Sequence, residues 1–339
     1  PTFMRQEIEE IPEAAARFLA ESEAQLASAG QALKRKNPAV IATIARGSSD
    51  QAAGFLKYAI ELTAGVPVAS IGPSIVSIYG RELKLDRAAA ISISQSGKSP
   101  DIVALAESAR KGGALSFALT NTADSPLAAA ADFTIDLRAG PEKSVAATKS
   151  FVNSIIAGLG LLAHWTADEK LLAALATLPV ALQATVACDW SPLLAALDGH
   201  QSLYVLGRGP TLAIAGEAAL KFKETCGIHA EAYSAAEVMH GPERIVEAGY
   251  PLLVLASRDA AEASVAGIAD KLAAQGAMTF ITSDRVSAAR SLPFALSGHP
   301  LTDALVLIVS FYGFVEALSR RRGFNPDQPP HLKKVTETV

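Results

Sequence analysis

Cysteine is scarce in this chain of 339 residues. Its two cysteines, Cys188 and Cys226, lie far apart and form no CxxC pair. A secreted disulfide framework or a thiolate metal site needs several suitably spaced cysteines, so neither is expected. HxxxH, HExxH and clustered Cys/His patterns are missing too, and we predict no metal. A reducing compartment is the simplest setting, and we predict a cytoplasmic protein.

Charge is also scarce. Charged residues make up 19% of the chain, and the net charge is −4. No segment has the basic character that binds nucleic-acid phosphates, so no nucleic-acid partner is expected. The N-terminal residues lead into an acidic amphipathic stretch and not into a signal peptide. Of the two most apolar runs, 151–165 is shorter than the roughly 20 residues a bilayer needs and 301–318 carries two acidic residues. We predict both to be buried helices and expect no membrane partner.

What the chain has in quantity is hydrophobic sequence, at 50% of all residues. That suffices for a large buried core, and the length predicts two domains. Short β-prone runs alternate with helical stretches, which indicates an α/β fold with parallel strands buried on both faces. The predicted strands are 39–45, 67–71, 89–94, 115–120 and 133–137, then 202–207, 229–233, 251–256, 277–282 and 291–296.

Helical sequence surrounds these runs and sets the predicted domain limits. We expect one or two helices over 5–35 and further helices at 50–64, 101–112, 151–197 and 301–320. The predicted segments are an N-terminal helical segment 1–35, a first α/β domain 36–165, a helical linker 166–197, a second α/β domain 198–320 and a tail 321–339.

The two α/β series resemble one another closely enough to predict a duplication. Arg46, Gly47 and Gly65 in the first series correspond to Arg208, Gly209 and Gly227 in the second, each pair lying 162 positions apart. The order of strands and helices around these positions also agrees. A tandem repeat of one domain is therefore the structural prediction.

A serine-rich turn follows the predicted strand 89–94. Ser94, Gln95, Ser96 and Ser99 surround Gly97, and a helix follows. Hydroxyls and free backbone N–H groups at a helix N-terminus favour a phosphate, and glycine lets the backbone approach the anion. The alternative is a polar turn with a serine N-cap. The segment fits neither GxxxxGK[ST] nor GxGxxG, so nucleotide binding is not expected.

A second serine pair, Ser48 and Ser49, joins another predicted strand to its helix. These hydroxyls could contact a sugar or cap the helix, and the segment alone favours capping.

Three charged residues share one face of a predicted helix. Glu217, Lys221 and Glu224 stand at i, i+4 and i+7. A solvated salt-bridge stripe is the usual explanation, but the apolar remainder of this helix weakens it. His240 lies in a break before the next strand; a lone histidine there is more often structural, although its side chain suits proton transfer near neutral pH. In the tail, two lysines precede Val335 and Thr336, which would ordinarily indicate a loose, solvated end.

Together these segments resemble the isomerase half of the glucosamine-6-phosphate synthase family. The resemblance covers essentially the whole chain and implies two tandem SIS (sugar isomerase) domains. Each would be a flavodoxin-like parallel sheet between helices, with N-terminal helices before them and a C-terminal tail closing the active site. The segments that carry it are 45–49, 93–97, 145–151, 219–224, 228–233, 240–242 and 327–334.

The resemblance implies a substrate site for a phosphorylated sugar. The serine loop, with Ser94, Gln95, Ser96 and Ser99, would hold the 6-phosphate. The sugar itself would lie against a second group of residues. That group comprises Ser48, Ser49, Val145, Ala147 and Glu217.

The resemblance also implies the catalytic residues. Glu224 would move a proton between C1 and C2, and Lys221 would assist near O1. His240, supplied by a neighbouring subunit, would open the sugar ring. Lys334 would form a Schiff base with the open-chain ketose. A homodimer with shared active sites is therefore expected, with no cofactor.

Two departures and one absence shape the expected activity. Ala147 replaces a serine and Lys98 replaces an acidic residue that the synthases usually carry. The synthase's glutaminase domain has no room in this chain, so ammonia release is the expected direction. The segments 138–143, 145–150, 323–327 and 332–336 look closer to stand-alone glucosamine-6-phosphate deaminases of this architecture.

The predicted reaction converts glucosamine 6-phosphate and water into fructose 6-phosphate and ammonia. Alternatives are a galactosamine-6-phosphate deaminase/isomerase, a fructosamine-6-phosphate deglycase, or an aldose–ketose phosphosugar isomerase. A non-enzymatic sugar-phosphate sensor is a further alternative, disfavoured because the Glu224, His240 and Lys334 positions are filled.

Overall fold

The computed structural model describes residues 1–334, which form two compact units. The first, here the N-terminal unit, contains Ile11–Glu142 and Lys149–Ala176, together with Lys333 and Lys334. The second, the C-terminal unit, contains Pro1–Glu10, Lys143–Thr148 and Thr177–Leu332. Val335 and Thr336, which the sequence comparison included, lie outside the described residues.

The N-terminal unit is built on one parallel sheet of five strands in the order β2-β1-β3-β4-β5. This is the order of flavodoxin-like folds. The strands are β1 Val40–Ile44, β2 Val68–Ser70, β3 Ala88–Ser94, β4 Leu115–Thr120 and β5 Phe133–Asp136. The helices α2 to α7 are Ile11–Lys36, Gly47–Ala64, Ser74–Ser77, Pro100–Lys111, Pro126–Ala129 and Lys149–Thr166.

The C-terminal unit repeats this plan. Its parallel sheet has the order β7-β6-β8-β9-β10, which is the same 2-1-3-4-5 arrangement shifted by five strands. The strands are β6 Ser202–Gly207, β7 His229–Ser234, β8 Pro251–Val254, β9 Met278–Ile281 and β10 Arg290–Ser291. The remaining helices are α1 Phe3–Glu9, α8 Glu169–Val186 (which spans the division between units), α9 Ser191–Ala196, α10 Pro210–Cys226, α11 Glu262–Ala274 and α12 Pro300–Arg321.

The duplication is confirmed in detail by the matched glycines. Gly65 ends α3 and Gly227 ends α10, each as a C-cap in the left-handed region with φ of 68° and 60°. Glycine is favoured there because a Cβ would crowd the following carbonyl. The repeat also predicts where helices begin: α5 starts at Pro100 and α11 starts 162 positions later at Glu262.

One predicted strand is wrong for most of its length. The segment 291–296 contributes only Ser291 to β10, which has two residues. Leu292 still donates its N–H to the Ile281 carbonyl at 2.7 Å, but Pro293 has no N–H to continue the ladder. The other nine predicted strands agree with the structure within two residues at each end.

The long apolar runs are core helices, as predicted. Every residue from Lys149 to Ala163 in α7 is buried, and so is most of α12. By length and hydropathy alone α8 and α12 could each cross a bilayer, but 89% of the α12 window is buried inside the protein, against 33% for α8. Burial of α12 against its own unit explains its apolar composition.

Candidate functional site

The serine loop is a tight turn between β3 and α5 in the N-terminal unit. Gly97, at φ +64°, accepts no side chain, because a Cβ there would lie 2.1 Å from Ser125 Oγ. Ser94 Oγ accepts from the Gly97 N–H at 3.1 Å and Ser96 Oγ accepts from the Lys98 N–H at 3.3 Å. The sequence therefore turns sharply at the carboxyl end of a central strand, where open α/β sheets bind ligands.

This turn leaves backbone donors at the start of α5. Ser99 occupies the N-cap position, but its side chain makes no capping hydrogen bond. Within residues 1–334, no oxygen accepts from the backbone N–H of Ser96 or Ser99. The alternative explanation, a serine that caps the helix, is thus wrong for the side chain of Ser99. Two N–H groups and nearby hydroxyls at a helix N-terminus favour an anion.

Gln95 lines a cavity beside the loop. The cavity has a volume of about 540 Å³ and lies at the carboxyl ends of β3, β4 and β5. Its lining is polar and includes charges of both signs. The lining residues are Arg17, Gln95, Asn121, Thr122, Asp136, Arg138, Gly140, Pro141 and Glu142.

Ser48 and Ser49 lie in the first turn of α3. The helix begins at Gly47 after the N-cap residue Arg46, which makes no side-chain capping bond. The prediction that these serines cap the helix is therefore wrong, because the helix starts before them. The Arg46 guanidinium instead ion-pairs with Asp101 of α5 at 2.6 Å. That pair ties the end of β1 to the first turn after the serine loop.

Lys334 is held by a buried carboxylate of the N-terminal unit. Its Nζ lies 3.0 Å from Glu142 Oε2, and the Glu142 side chain is fully buried. Glu142 also accepts from the Ser150 N–H at 3.1 Å and from Ser150 Oγ at 2.7 Å. Sequence reasoning did not assign Glu142 a role, although it stands three residues before Val145.

The three charged residues of α10 form a buried stack in the C-terminal unit. Lys221 Nζ lies 3.1 Å from Glu217 Oε1 and 2.7 Å from Glu224 Oε2. The side chains of Glu217 and Lys221 are fully buried, whereas that of Glu224 is 22% exposed. Tyr312 of α12 donates to Glu217 Oε1 at 2.9 Å. The shared face is confirmed, and the alternative of a solvated stripe is wrong because α10 packs against α12.

Burial and the attraction between opposite charges shift the pKa values of Glu217 and Lys221 in opposite directions. Desolvation raises the pKa of Glu217 to about 7, although Lys221 and the Tyr312 hydroxyl lower it. Desolvation lowers the pKa of Lys221, but the two carboxylates outweigh it and the net pKa is raised. Lys221 is therefore a buried ammonium at neutral pH, and Glu224 is the accessible carboxylate beside it.

Tail residues line a cavity with Glu224. The cavity has a volume of about 500 Å³ and is largely apolar. Pro329, Pro330 and Leu332 contribute to it, so this part of the tail does not behave as a loose end. The other lining residues are Leu220, Lys223, Glu224, Thr225, Gly227, Phe324 and Asn325.

His240 lies in the same unit as the stack. It ends a short 3₁₀ turn, Glu237–His240, and Gly241 follows at φ +134°. The predicted break before β8 is confirmed. Within residues 1–334, no hydrogen bond or ion pair joins His240 to Glu217 or Glu224.

The segment with Val145 and Ala147 is irregular and half-buried. The Val145 N–H donates to the Asp327 carbonyl at 3.3 Å. Residues 1–334 contain no group of three or more His, Cys, Asp or Glu side chains that could hold a metal ion.

The turn that corresponds to the serine loop in the second repeat has different chemistry. Arg258 stands 162 positions after Ser96. Its guanidinium donates to the carbonyls of Ala256 and Thr282 and ion-pairs with Glu262 at 3.1 Å. It also lies over the Phe294 ring, 3.9 Å from the centroid. In the second repeat this turn is therefore occupied by the Arg258 guanidinium, whose charge is neutralised by Glu262.

Comparison with known proteins identifies the family. The SIS domain model matches residues 35–163 and 197–291, one match in each α/β repeat. The chain therefore belongs to the SIS domain family, which confirms the resemblance and the double-domain fold predicted from sequence.

Three similar proteins illustrate the relationship. A solved structure of a "putative phosphosugar isomerase" from Silicibacter pomeroyi is 54% identical, with a TM-score of 0.94 over 96% of this chain and 100% of that one. The C-terminal domain of glucosamine-fructose-6-phosphate aminotransferase from Francisella tularensis is 25% identical, with a TM-score of 0.87 over 97% and 98%. A glutamine–fructose-6-phosphate aminotransferase (isomerizing) from Pyrobaculum aerophilum is 33% identical over 100% of this chain and 58% of its own length. The chain spans about half the length of the curated relatives it matches, from 42% to 58%.

Proposed function

We propose that this protein is a phosphosugar isomerase that acts on an amino-sugar phosphate, converting glucosamine 6-phosphate and water into fructose 6-phosphate and ammonia. The names of the similar proteins support the isomerase chemistry and a phosphorylated sugar as substrate. The release of ammonia rests on the sequence resemblance described above.

The observation that carries the proposal is the stack on α10. Glu224 is its one exposed member, and a fully buried ammonium lies 2.7 Å behind it. A carboxylate that is accessible to substrate can take and return a proton. A fixed ammonium beside it can stabilise the negative charge that develops on a sugar oxygen during that transfer.

The reaction follows from these two groups. Glu224 takes the proton from C2 of the open-chain amino sugar, and the C1–C2 enolamine forms as O1 takes up a proton from water, with Lys221 stabilising the negative charge that develops on O1. Glu224 then returns its proton to C1 while the amine nitrogen gives up one proton to water, which leaves an imine at C2 and balances the proton gained at O1. Water adds to that carbon, ammonia leaves, and the ketose phosphate results. Every step after ring opening is a proton transfer, the addition of water or the loss of ammonia.

The serine loop would orient the substrate from its far end. The N–H groups of Ser96 and Ser99, with the hydroxyls of Ser94, Ser96 and Ser99 and the amide of Gln95, would hold the 6-phosphate. Binding energy gained at the phosphate can then fix C1 and C2 relative to the catalytic groups. Ser48, Ser49, Val145, Ala147 and Glu217 would form or support the sugar pocket.

Three further assignments belong to the same proposal. His240 would open the sugar ring and act on the site of a second copy in a homodimer. Lys334 would release Glu142 and form a Schiff base with the open-chain ketose. The tail would close over the substrate. Both cysteines are free, which agrees with a reducing, cytoplasmic setting.

The test is ammonia release across a panel of 6-phosphosugars. We expect turnover with glucosamine 6-phosphate, and a loss of about 10²–10⁴-fold in kcat for Glu224→Gln, the usual contribution of a positioned general base. Glu247→Gln, a surface change in the same unit, is the matched control and should keep wild-type rates.

Other results of this substrate panel would assign the protein a different function. Turnover of galactosamine 6-phosphate or of a fructosamine 6-phosphate alone would move the assignment to that substrate. Interconversion of amine-free aldose and ketose phosphates would make it a simple isomerase with the same proton carrier. Tight binding of a sugar phosphate with no turnover of any panel member would refute the enzyme and favour a sensor.

A further inference from the structure

Three segments that are distant in sequence form one closed set of hydrogen bonds within the C-terminal unit. They are α1, the segment 143–145 and the tail residues Pro326 and Asp327. Segment 143–145 leads into Ala147, so these bonds act on a part of the chain that the proposed function places in the sugar pocket.

Helix α1 supplies a fixed base for the set. Arg5 ion-pairs with the buried Glu316 of α12 at 2.6 Å and donates to the Gly313 carbonyl at 2.7 Å. Thr2 Oγ1 donates to the same carboxylate at 2.8 Å. A short helix of seven residues would not be stable alone, so these bonds to α12 hold it in place.

Glu7 on this helix holds the beginning of the segment. Its carboxylate is buried and accepts from the backbone N–H groups of Lys143 and Ser144. Hydrogen bonds from N–H groups to a buried carboxylate are charge-assisted and therefore stronger than neutral ones. The Lys143 ammonium also lies 5.1 Å from the centroid of the Phe3 ring.

Asp327 completes the set from the tail. Its two carboxylate oxygens accept from the Phe3 and Met4 N–H groups at 2.8 Å each. A negative charge at a helix N-terminus is also favourable for the helix dipole. The carbonyl of the same residue accepts from the Val145 N–H at 3.3 Å. One residue thus anchors the tail to α1 and the segment to the tail.

We propose that Asp327 and Glu7 are positioning residues for the sugar pocket. Between them they accept hydrogen bonds from all three consecutive backbone N–H groups of 143–145, and so they fix where Val145 and Ala147 lie. The kinetic part of this inference rests on the proposed function; the structural part does not.

The test compares Asp327→Asn with a matched control. Asn keeps the shape of the side chain but places an NH₂ donor against a backbone N–H. Asp270→Asn makes the same change where a carboxylate accepts from the N–H groups of Ser287, Ala288 and Ala289, far along the chain from these segments. Both variants lose carboxylate-to-backbone bonds, but only the first concerns the proposed pocket.

Amide hydrogen exchange tests whether Asp327 anchors residues 143–145, and steady-state kinetics test whether that anchoring positions the sugar pocket. Amide hydrogen exchange at residues 143–145 should rise roughly tenfold or more in Asp327→Asn and stay unchanged in Asp270→Asn, since only Asp327→Asn loses charge-assisted bonds in the set that holds this segment. In steady-state kinetics Asp327→Asn should raise KM for the phosphosugar by about the same factor, with a smaller change in kcat. Adding Glu7→Gln should give a non-additive effect with Asp327→Asn and an additive one with Asp270→Asn.

The outcomes separate this inference from the proposed function. A wild-type protein with no turnover on any phosphosugar refutes the proposed function, while the exchange experiment still tests the anchoring. Unchanged exchange at 143–145 in Asp327→Asn overturns the anchoring itself. Increased exchange with unchanged KM and kcat in an active enzyme would show anchoring without a role in positioning, and would overturn the proposal.

Discussion

The raised pKa of Glu217 predicts an unusual dependence of stability on pH. Burial favours the protonated carboxyl, and its folded pKa is about 7 against 4.5 for an exposed glutamate. Between these values the folded state binds a proton that the unfolded state lacks. The contribution of Glu217 to stability is therefore greatest below pH 4.5 and is lost as the pH rises to 7. This is opposite to the behaviour of a carboxylate stabilised by a surface ion pair.

The size of the effect follows from the difference in pKa. A difference of about 2.5 units corresponds to about 3 kcal/mol, of which roughly 2–3 kcal/mol should be lost between pH 5 and 8. Glu217→Gln cannot titrate and should lack this loss. Its stability relative to wild type should therefore rise with pH by that amount. Tyr312→Phe removes a hydrogen bond to the ionised form, so it should extend the loss to higher pH.

The assay needs a signal from the C-terminal unit alone. The chain has two tryptophans, of which Trp190 is buried in that unit and donates to the Pro293 carbonyl at 2.9 Å. Urea unfolding is followed by fluorescence in a Trp165→Phe background at pH 5, 6, 7 and 8. Parallel stability curves for wild type and Glu217→Gln over this range would show that Glu217 does not titrate as the structure requires.

Three further predictions concern the serine loop and the shared site. Ser96→Ala combined with Ser99→Ala should raise KM for a phosphorylated sugar about tenfold or more and leave the unphosphorylated sugar unaffected; equal effects on both would place the phosphate elsewhere. Gly97→Ala should cost on the order of 1–3 kcal/mol in thermal unfolding, because it adds a clash with Ser125 to a left-handed φ. Gly65→Ala, which has a similar φ but open space, should cost less, and equal losses would contradict the clash. Inactive His240→Ala and Glu224→Gln, mixed under subunit exchange, should recover up to about a quarter of wild-type activity if His240 acts in a second copy; no recovery despite proven exchange would argue against it.

Periodicity predicted most of the fold because buried parallel strands and their helices have strong local signals. Matching residues 162 positions apart also predicted the repeat. Two of them, Gly65 and Gly227, are glycines because each ends a helix with a left-handed backbone conformation. The short β10 was overestimated because the prediction followed the apolar run and not Pro293, which is visible in the sequence and interrupts the ladder. Whether Ser48 capped a helix depended on where that helix began, which the sequence did not define.

The candidate site was predictable where chemistry and spacing coincide along one element. The stripe on α10 is an example, although its burial depended on α12, more than 70 residues further on. Glu142 and Asp327 were overlooked for the opposite reason. Their partners, Lys334 for the first and Phe3 and Met4 for the second, lie far away in sequence, and no local pattern indicates such pairs.

Arg258 makes the two copies of the duplicated domain differ in what this turn can bind. Where the first copy presents serine hydroxyls and open N–H groups, the second has Arg258 already bound to two carbonyls and Glu262. Duplication kept the scaffold twice but not the chemistry of this turn, because the first copy keeps hydroxyls and open N–H groups where the second has an arginine that is already neutralised. If the serine turn holds the phosphate, as proposed above, the chain should take up one sugar phosphate and not two, and calorimetric titration would measure that ratio.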